Sequence, residues 1–251
     1  MSPHRELLMV GMAANTYRIG NVVRKECHIL TTDEAITQQN LEACETEALV
    51  YQILGQHPCI AECLLISPTH DYIELKYYPS SNLKTYINKN RGNITITDLK
   101  RWAYQMVESV AYIHSKGIIH SDLRLEQWLV DTNLSARLGD FNNAGFRDQP
   151  DLGIRARRPL GLEIPTHYLP RDLDKEATAV ADLFALGSSL YELSTGRCPY
   201  EGQDEESIHY MFERGEFPST ETLLFGEIIM NCWRKAYNCA QDILDHGNFG
   251  G

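Results

Sequence analysis

The chain has 251 residues, 43% of them hydrophobic, enough for one large domain or two small lobes sharing an interface. With 23% charged residues, 17 glycines and 10 prolines, it matches neither a disordered nor a collagen-like chain. A net charge of −11 argues against nucleic-acid or anionic-membrane partners held by a global basic field, so an anionic ligand needs a local basic site.

The N-terminal MSPHRELLMVGM carries one Arg and no long apolar run, unlike a secretory signal, and the stretch Leu183 to Leu193 is too short to span a bilayer. Seven cysteines in no framework spacing predict unpaired thiols in a reducing, cytoplasmic setting. His57, Cys59 and Cys63 cluster, but no fourth metal ligand stands at a suitable spacing, so buried thiols are the expectation.

In chain order, Leu7 to Met12 reads as a short apolar strand. Tyr17 to Ile19 and Val22 to Lys25 flank Gly20-Asn21, which is hairpin-turn chemistry. Leu41 to Leu54 has no Gly or Pro and predicts a helix ending at Gly55. Cys59 to Ile66 and Tyr72 to Tyr78 predict two strands around the turn at Pro68 to Asp71. After the polar stretch Lys76 to Asn82 the pattern turns helical. Leu99, Trp102, Ala103, Met106, Val107, Val110, Ala111 and His114 follow the helical i, i+3, i+4 spacing from a start at Thr97-Asp98 to Gly117. Ala181 to Leu193 is apolar nearly all round and predicts a helix buried at a domain centre.

Chemistry concentrates in His120-Ser-Asp-Leu-Arg-Leu-Glu-Gln127, followed by Asp140-Phe141-Asn142. Each of the two Asp residues opens a polar loop beside short apolar runs. Such a pair can set one carboxylate near an acceptor hydroxyl and another on a metal that holds a phosphate. On that pair alone, structural Asp caps are as good an explanation.

With its neighbours, the segment resembles the protein kinase family across essentially the whole chain. His120-Ser121-Asp122-Leu123-Arg124 with Gln127 is similar to the catalytic loop H-R-D-L-x-x-x-N, and Asp140-Phe141-Asn142 to D-F-G. Val22-Val23-Arg24-Lys25 resembles V-A-I-K. Glu47 stands in E-x6-L-G-Q-H-P. Asp182 to Gly187, with Gly196 and Pro199-Tyr200, resembles the family's buried C-lobe helix and the segment after it. The motif style resembles a divergent, fungal-type group. The resemblance implies an α+β, two-lobed kinase fold over 1–251, with a β-rich N-lobe at 1–76, a hinge at 77–82 and a mainly helical C-lobe at 83–251.

The resemblance also implies the site. Lys25, paired with Glu47, would neutralise the α/β-phosphates of ATP. Asp140 and Gln127 would bind Mg²⁺, Asp122 would orient or deprotonate the acceptor hydroxyl, and Arg124 would contact phosphate. Val23 and Leu129 would sandwich the adenine, with Leu75 as gatekeeper and the backbone of Lys76 and Tyr78 bonding the base. Tyr51, Cys63, His120 and Phe141 would stack as a column on Asp182.

The departures from the pattern are specific. Gly11 is the only survivor of G-x-G-x-x-G, so the phosphate cradle should be weak. Gln127 stands for Asn, Val23 for Ala and Asn142 for Gly; the last is the mildest, because Asn tolerates unusual dihedrals. Arg171 stands where A-P-E has its Glu, so it needs a different acid. Ser121 replaces the Arg beside the catalytic Asp, and 143–165 contains no Ser, Thr or Tyr, which predicts no phosphate switch in that loop. Arg155, Arg157 and Arg158 read as a solvated basic turn rather than a site for an acidic peptide.

The function implied is an ATP-dependent protein kinase acting on a protein substrate, Ser/Thr rather than Tyr. The alternative is a pseudokinase that binds nucleotide or scaffolds with little or no transfer. A small-molecule kinase of the aminoglycoside-phosphotransferase type is disfavoured by Asp182-x4-Gly187 and Pro199-Tyr200. A chain this close to a minimal core is expected to be controlled within the core or by a regulatory protein partner.

Overall fold

The computed structural model describes residues 4–30, 32–172, 174–247 and 249, so the outer limits of the expected domain lie outside it. Five strands form one antiparallel sheet: β1 Arg5–Val10, β2 Ala14–Ile19, β3 Val22–Cys27, β4 Cys63–Ile66 and β5 Tyr72–Lys76, in the order β1-β2-β3-β5-β4. Helix α1, Glu34–Leu54, packs against β3 and β5. The expected helix start at Leu41 is corrected by two turns. Asp33 caps the true start, its side chain accepting from Ile36 N–H, and the polar first turns gave no apolar stripe to read. The strand expected from Cys59 begins only at Cys63, because Cys59 and Ile60 turn away to meet Leu138.

The remainder is mainly helical. α2 Leu83–Asn90 and α3 Ile96–Ser115 lead into the short strands β6 Ile118–Ile119, β7 Trp128–Val130, β8 Ala136–Leu138 and β9 Gly145–Phe146. Next come α4 Ala179–Thr195, α5 Glu205–Glu213, α6 Gly226–Trp233 and α7 Ala240–His246. α4 is buried on nearly every face, as its all-round apolar sequence predicts. Leu183, Phe184, Leu186 and Leu190 each bury a side chain worth about 1.5–3 kcal/mol. Three fully buried tryptophans anchor the core, and each indole N–H is satisfied: Trp102 by the Leu134 carbonyl, Trp128 by Ser109 and Trp233 by Ser188.

The expectation of seven unpaired thiols is corrected: Cys27 and Cys44 form a disulfide joining the end of β3 to α1. They lie 17 positions apart in sequence, and the packing of helix on strand brings their Cα atoms to 6.2 Å. His57 stacks on Tyr112 and the Cys59 thiol donates to Glu108, so neither faces a common centre with Cys63. No helix is long and apolar enough to cross a membrane among the described residues.

Candidate active site

Sheet and helices enclose a cleft of about 1560 Å³. Gly11, Val23, Lys25, Lys76, Tyr78, Asp122, Arg124, Gln127, Leu129 and Asp140 all line it. Glu47 stands behind Lys25, buried on α1. Residues drawn from β3, the strand β5 and its exit, the loop after β6 and the end of β8 therefore share one cavity.

The Lys25 ammonium bridges two carboxylates, Glu47 Oε2 at 2.5 Å and Asp140 Oδ1 at 2.8 Å. β3 aims Lys25 inward, and α1 presents Glu47 from its buried face. Burial opposes the Lys25 charge, but Asp140 and Glu47 together outweigh it and raise its pKa. Burial pushes the Glu47 carboxyl up against the pull of Lys25. For Asp140, burial is overcome by Lys25, which holds it below the usual carboxylate range. The left-handed backbone in this segment falls at Asp140 (φ 64°) and not at Asn142, so the loss of Gly at 142 removes no conformational freedom this chain uses.

Across the cleft, Asp122 is held from three sides. Arg124 Nη1 donates to its Oδ1 (2.9 Å), while Gln127 Nε2 (3.1 Å) and Asn143 Nδ2 (3.3 Å) donate to its Oδ2. Burial, with the nearby Asp140 charge, lifts the Asp122 pKa to about 7 against the opposing pull of Arg124 and Asn143. The loop itself hangs from Asp182 on α4. That fully buried carboxylate accepts the backbone N–H of His120 (2.8 Å) and Ser121 (2.9 Å), and His114 Nε2 lies 2.9 Å away. Tyr51, Phe141 and His120 pack in series, Tyr51 edge-to-face on Phe141 and His120 tilted against it, with ring centroids 5.3 Å apart at each step. Helix α1, the Asp140 segment and the Asp122 loop are thus one packed unit.

The β1–β2 turn is built differently. Gly11 N–H donates to the Ala14 carbonyl (2.9 Å), so this amide closes the turn and is not free for a ligand. A Cβ at Gly11 would sit 2.9 Å from that same carbonyl. Met12 is 86% exposed. At the hinge, the Lys76 and Tyr77 N–H groups are engaged by the carbonyls of Glu62 and Asn21. The Tyr78 hydroxyl accepts from Glu62 N–H (2.9 Å).

Arg171 finds its acid at Glu163, through a two-point buried ion pair at 2.8 and 3.2 Å. Asn143 as a partner of Asp122 was not foreseen from sequence, because its spacing from that loop is set only by the chain reversal through β8. The solvated-turn reading of the three arginines is corrected in part. Arg158 is 86% exposed and pairs with Glu176, whereas Arg157 reaches α1. Sequence could not show this, since 111 positions separate Arg157 from Thr46.

A Mg²⁺ ion fits the donors present. Asp140 and the Gln127 amide offer hard oxygens, and Asn142 Oδ1 is buried without a partner among the described residues. Among the described residues no group of three His, Cys, Asp or Glu could hold a metal by itself.

Residues 12–240 match the family model described as "Protein tyrosine and serine/threonine kinase". The chain is 27% identical to CBL-interacting serine/threonine-protein kinase 8 of Arabidopsis thaliana, over 83% of this chain and 46% of that protein. It is 29% identical to serine/threonine-protein kinase PKH3 of Eremothecium gossypii, over 81% of this chain and 30% of that protein. To a probable CTD kinase subunit alpha homolog of Encephalitozoon cuniculi it is 30% identical, over 63% of this chain and 47% of that protein. The matched region is thus under half the length of each of these relatives.

Proposed function

The chain belongs to the protein kinase family, and on that premise we propose that it transfers the γ-phosphoryl group of ATP to a protein hydroxyl, serine or threonine rather than tyrosine. The observation that carries this reading is the Lys25 ammonium seated between Glu47 and Asp140, across the cleft from an Asp122 fixed by α4. Phosphoryl transfer needs little covalent help from a protein; positioning and charge stabilisation supply most of the acceleration. Lys25 neutralises phosphate oxygens, and Glu47 keeps that ammonium on the cleft side of the sheet. Val23 and Leu129 sandwich the adenine, and the backbone at Lys76 and Tyr78 bonds its edge. Asp140 and Gln127 hold Mg²⁺, which when bound neutralises charge on the phosphates. Asp122 orients the acceptor hydroxyl and takes its proton, while Arg124 meets the developing charge. The names of the relatives support the Ser/Thr preference.

The test is ATP titration with and without Mg²⁺ on the wild type and Lys25→Met. Magnesium-dependent binding that weakens about tenfold or more in the variant is expected; equal binding by both proteins contradicts the assignment. A second reading, a pseudokinase that binds nucleotide without transfer, is favoured by one observation. Gly11, the one glycine left in the phosphate-gripping turn, spends its N–H on the Ala14 carbonyl, so that amide is not available to a nucleotide phosphate.

A further inference from the structure

The loop 143–161 has no hydroxyl to carry a phosphate, yet three ties fix it. At its base, Ser121 Oγ donates to the Asn143 carbonyl (2.6 Å) and accepts Gly161 N–H (3.3 Å), while Leu160 N–H returns to the Asn143 carbonyl (3.0 Å). The small side chain that replaces the family's Arg therefore joins the two ends of the loop. At mid-loop, Phe146 and Arg157 exchange both backbone hydrogen bonds at 2.9 Å. Gly145 makes this approach feasible: a Cβ there would lie 2.3 Å from Pro159 N and 2.8 Å from the Arg157 carbonyl.

With its backbone so held, Arg157 is aimed at α1. Its guanidinium donates to the Glu42 carbonyl (2.8 Å), Thr46 Oγ1 (2.6 Å) and Glu45 Oε2 (2.6 Å). Three bonds to one turn of helix use the fork geometry of Arg, which a Lys cannot reproduce. Glu47 comes directly after Thr46 in the same turn and meets Lys25. The Arg157 side chain is 29% exposed, so the Glu45 pair alone adds little. Its value lies in the combined contact with a helix carbonyl, a buried hydroxyl and a carboxylate.

We propose that Arg157 is a positioning residue for the phosphate-holding pair: a built-in cation on the loop that docks α1 with Glu47 inward, with no phosphorylation required. The charge order is loop cation to helix anion. The proposal rests on the kinase reading for its consequence in catalysis, but the docking itself can be read without activity.

The experiment compares wild type, Arg157→Ala, Arg157→Lys, Glu45→Gln, the double variant Arg157→Ala/Glu45→Gln and the charge exchange Arg157→Glu/Glu45→Arg. Amide hydrogen exchange over residues 34–54 and 145–161, the thermal midpoint, and the kcat and KM for ATP are measured on each. Arg157→Ala is expected to speed exchange in α1 by about tenfold and to lower kcat/KM for ATP by about tenfold, with a midpoint shift of only a few degrees. The double variant loses little beyond the single ones, because one interaction is removed twice. The charge exchange recovers part of the loss, and Lys recovers less than half. Should Arg157→Ala fail to fold, Arg157→Lys, which keeps the charge and loses the fork, gives the same reading at smaller amplitude. Helix exchange and ATP kinetics as in wild type in both Arg157 variants overturn the proposal. Faster α1 exchange in a protein whose wild type transfers no phosphate upholds the docking and overturns the kinase reading instead.

Discussion

The two sides of the cleft are built to different standards. On one side, His120, Ser121 and Asp182 are fully buried, and every charge of the Asp122 loop is tied to a backbone amide or an opposing group. On the other, β1 is exposed along its length, Leu7, Leu8, Met9 and Val10 face solvent, and the single remaining glycine closes its own turn. The charges proposed to stabilise phosphoryl transfer sit in the packed frame, while the Gly11 amide of the β1–β2 turn is spent on the Ala14 carbonyl. On the proposed reading, groups that need fixed geometry stand where packing supplies it, and the weaker part is the backbone grip on the nucleotide.

Breaking the packed side has the largest effect. Asp182→Ala strands two buried amides and is expected to cost about 3–5 kcal/mol, lowering the thermal midpoint by roughly 6–20 °C. Met9→Ser on the exposed strand should stay within about 0.5 kcal/mol. Equal effects in a calorimetric scan would erase the contrast.

The packed side also carries a pH signature. In Mg²⁺-free and nucleotide-free buffer the Asp122 carboxyl, pushed up to about 7 by burial, keeps a proton that the unfolded chain releases near pH 4. Stability from this group is present below about pH 4 and lost as pH rises through about 7. Relative to Asp122→Asn, wild type should therefore lose on the order of 3 kcal/mol between pH 4 and 8. Denaturant unfolding of both proteins at each pH reads this directly, and a difference that stays flat would mean the carboxyl is already ionised at pH 4.

The open side should respond weakly. Gly11→Ala forces its Cβ against the Ala14 carbonyl and should raise KM for ATP several-fold with kcat nearly unchanged. Ala13→Gly restores a glycine to the turn and should change KM by less than about threefold. Steady-state kinetics separate the two. A large fall in kcat in either variant would show that the turn shapes the transition state and not only nucleotide binding.

Much of this was legible in the sequence, and the reason differs by residue. Asp122, Asp140, Lys25 and Glu47 lie in motifs whose order is fixed by the chain, so their convergence is expected once the fold is recognised. The all-round apolar character of Ala181 to Leu193 announced α4 without any family knowledge. The first two turns of α1 are hard to read because their polar faces carry no periodicity, and Asp33 as a capping residue is their one sequence signal. The Cys27–Cys44 bond and the Arg157, Asn143 and Glu163 contacts were invisible, since each joins a loop or strand end to a partner chosen by three-dimensional packing. Arg171 is an intermediate case: its lack of the usual partner was apparent, and only the structure named Glu163.

The central claim is that the packed charges suffice for transfer although the glycine cradle is gone. It is tested most directly by radiolabelled γ-phosphate incorporation from Mg-ATP into a Ser/Thr peptide library, with wild type and Asp122→Asn side by side. Transfer by wild type that falls about 10²–10⁴-fold in the variant is the predicted result. Wild type and variant equally silent across the library would contradict it.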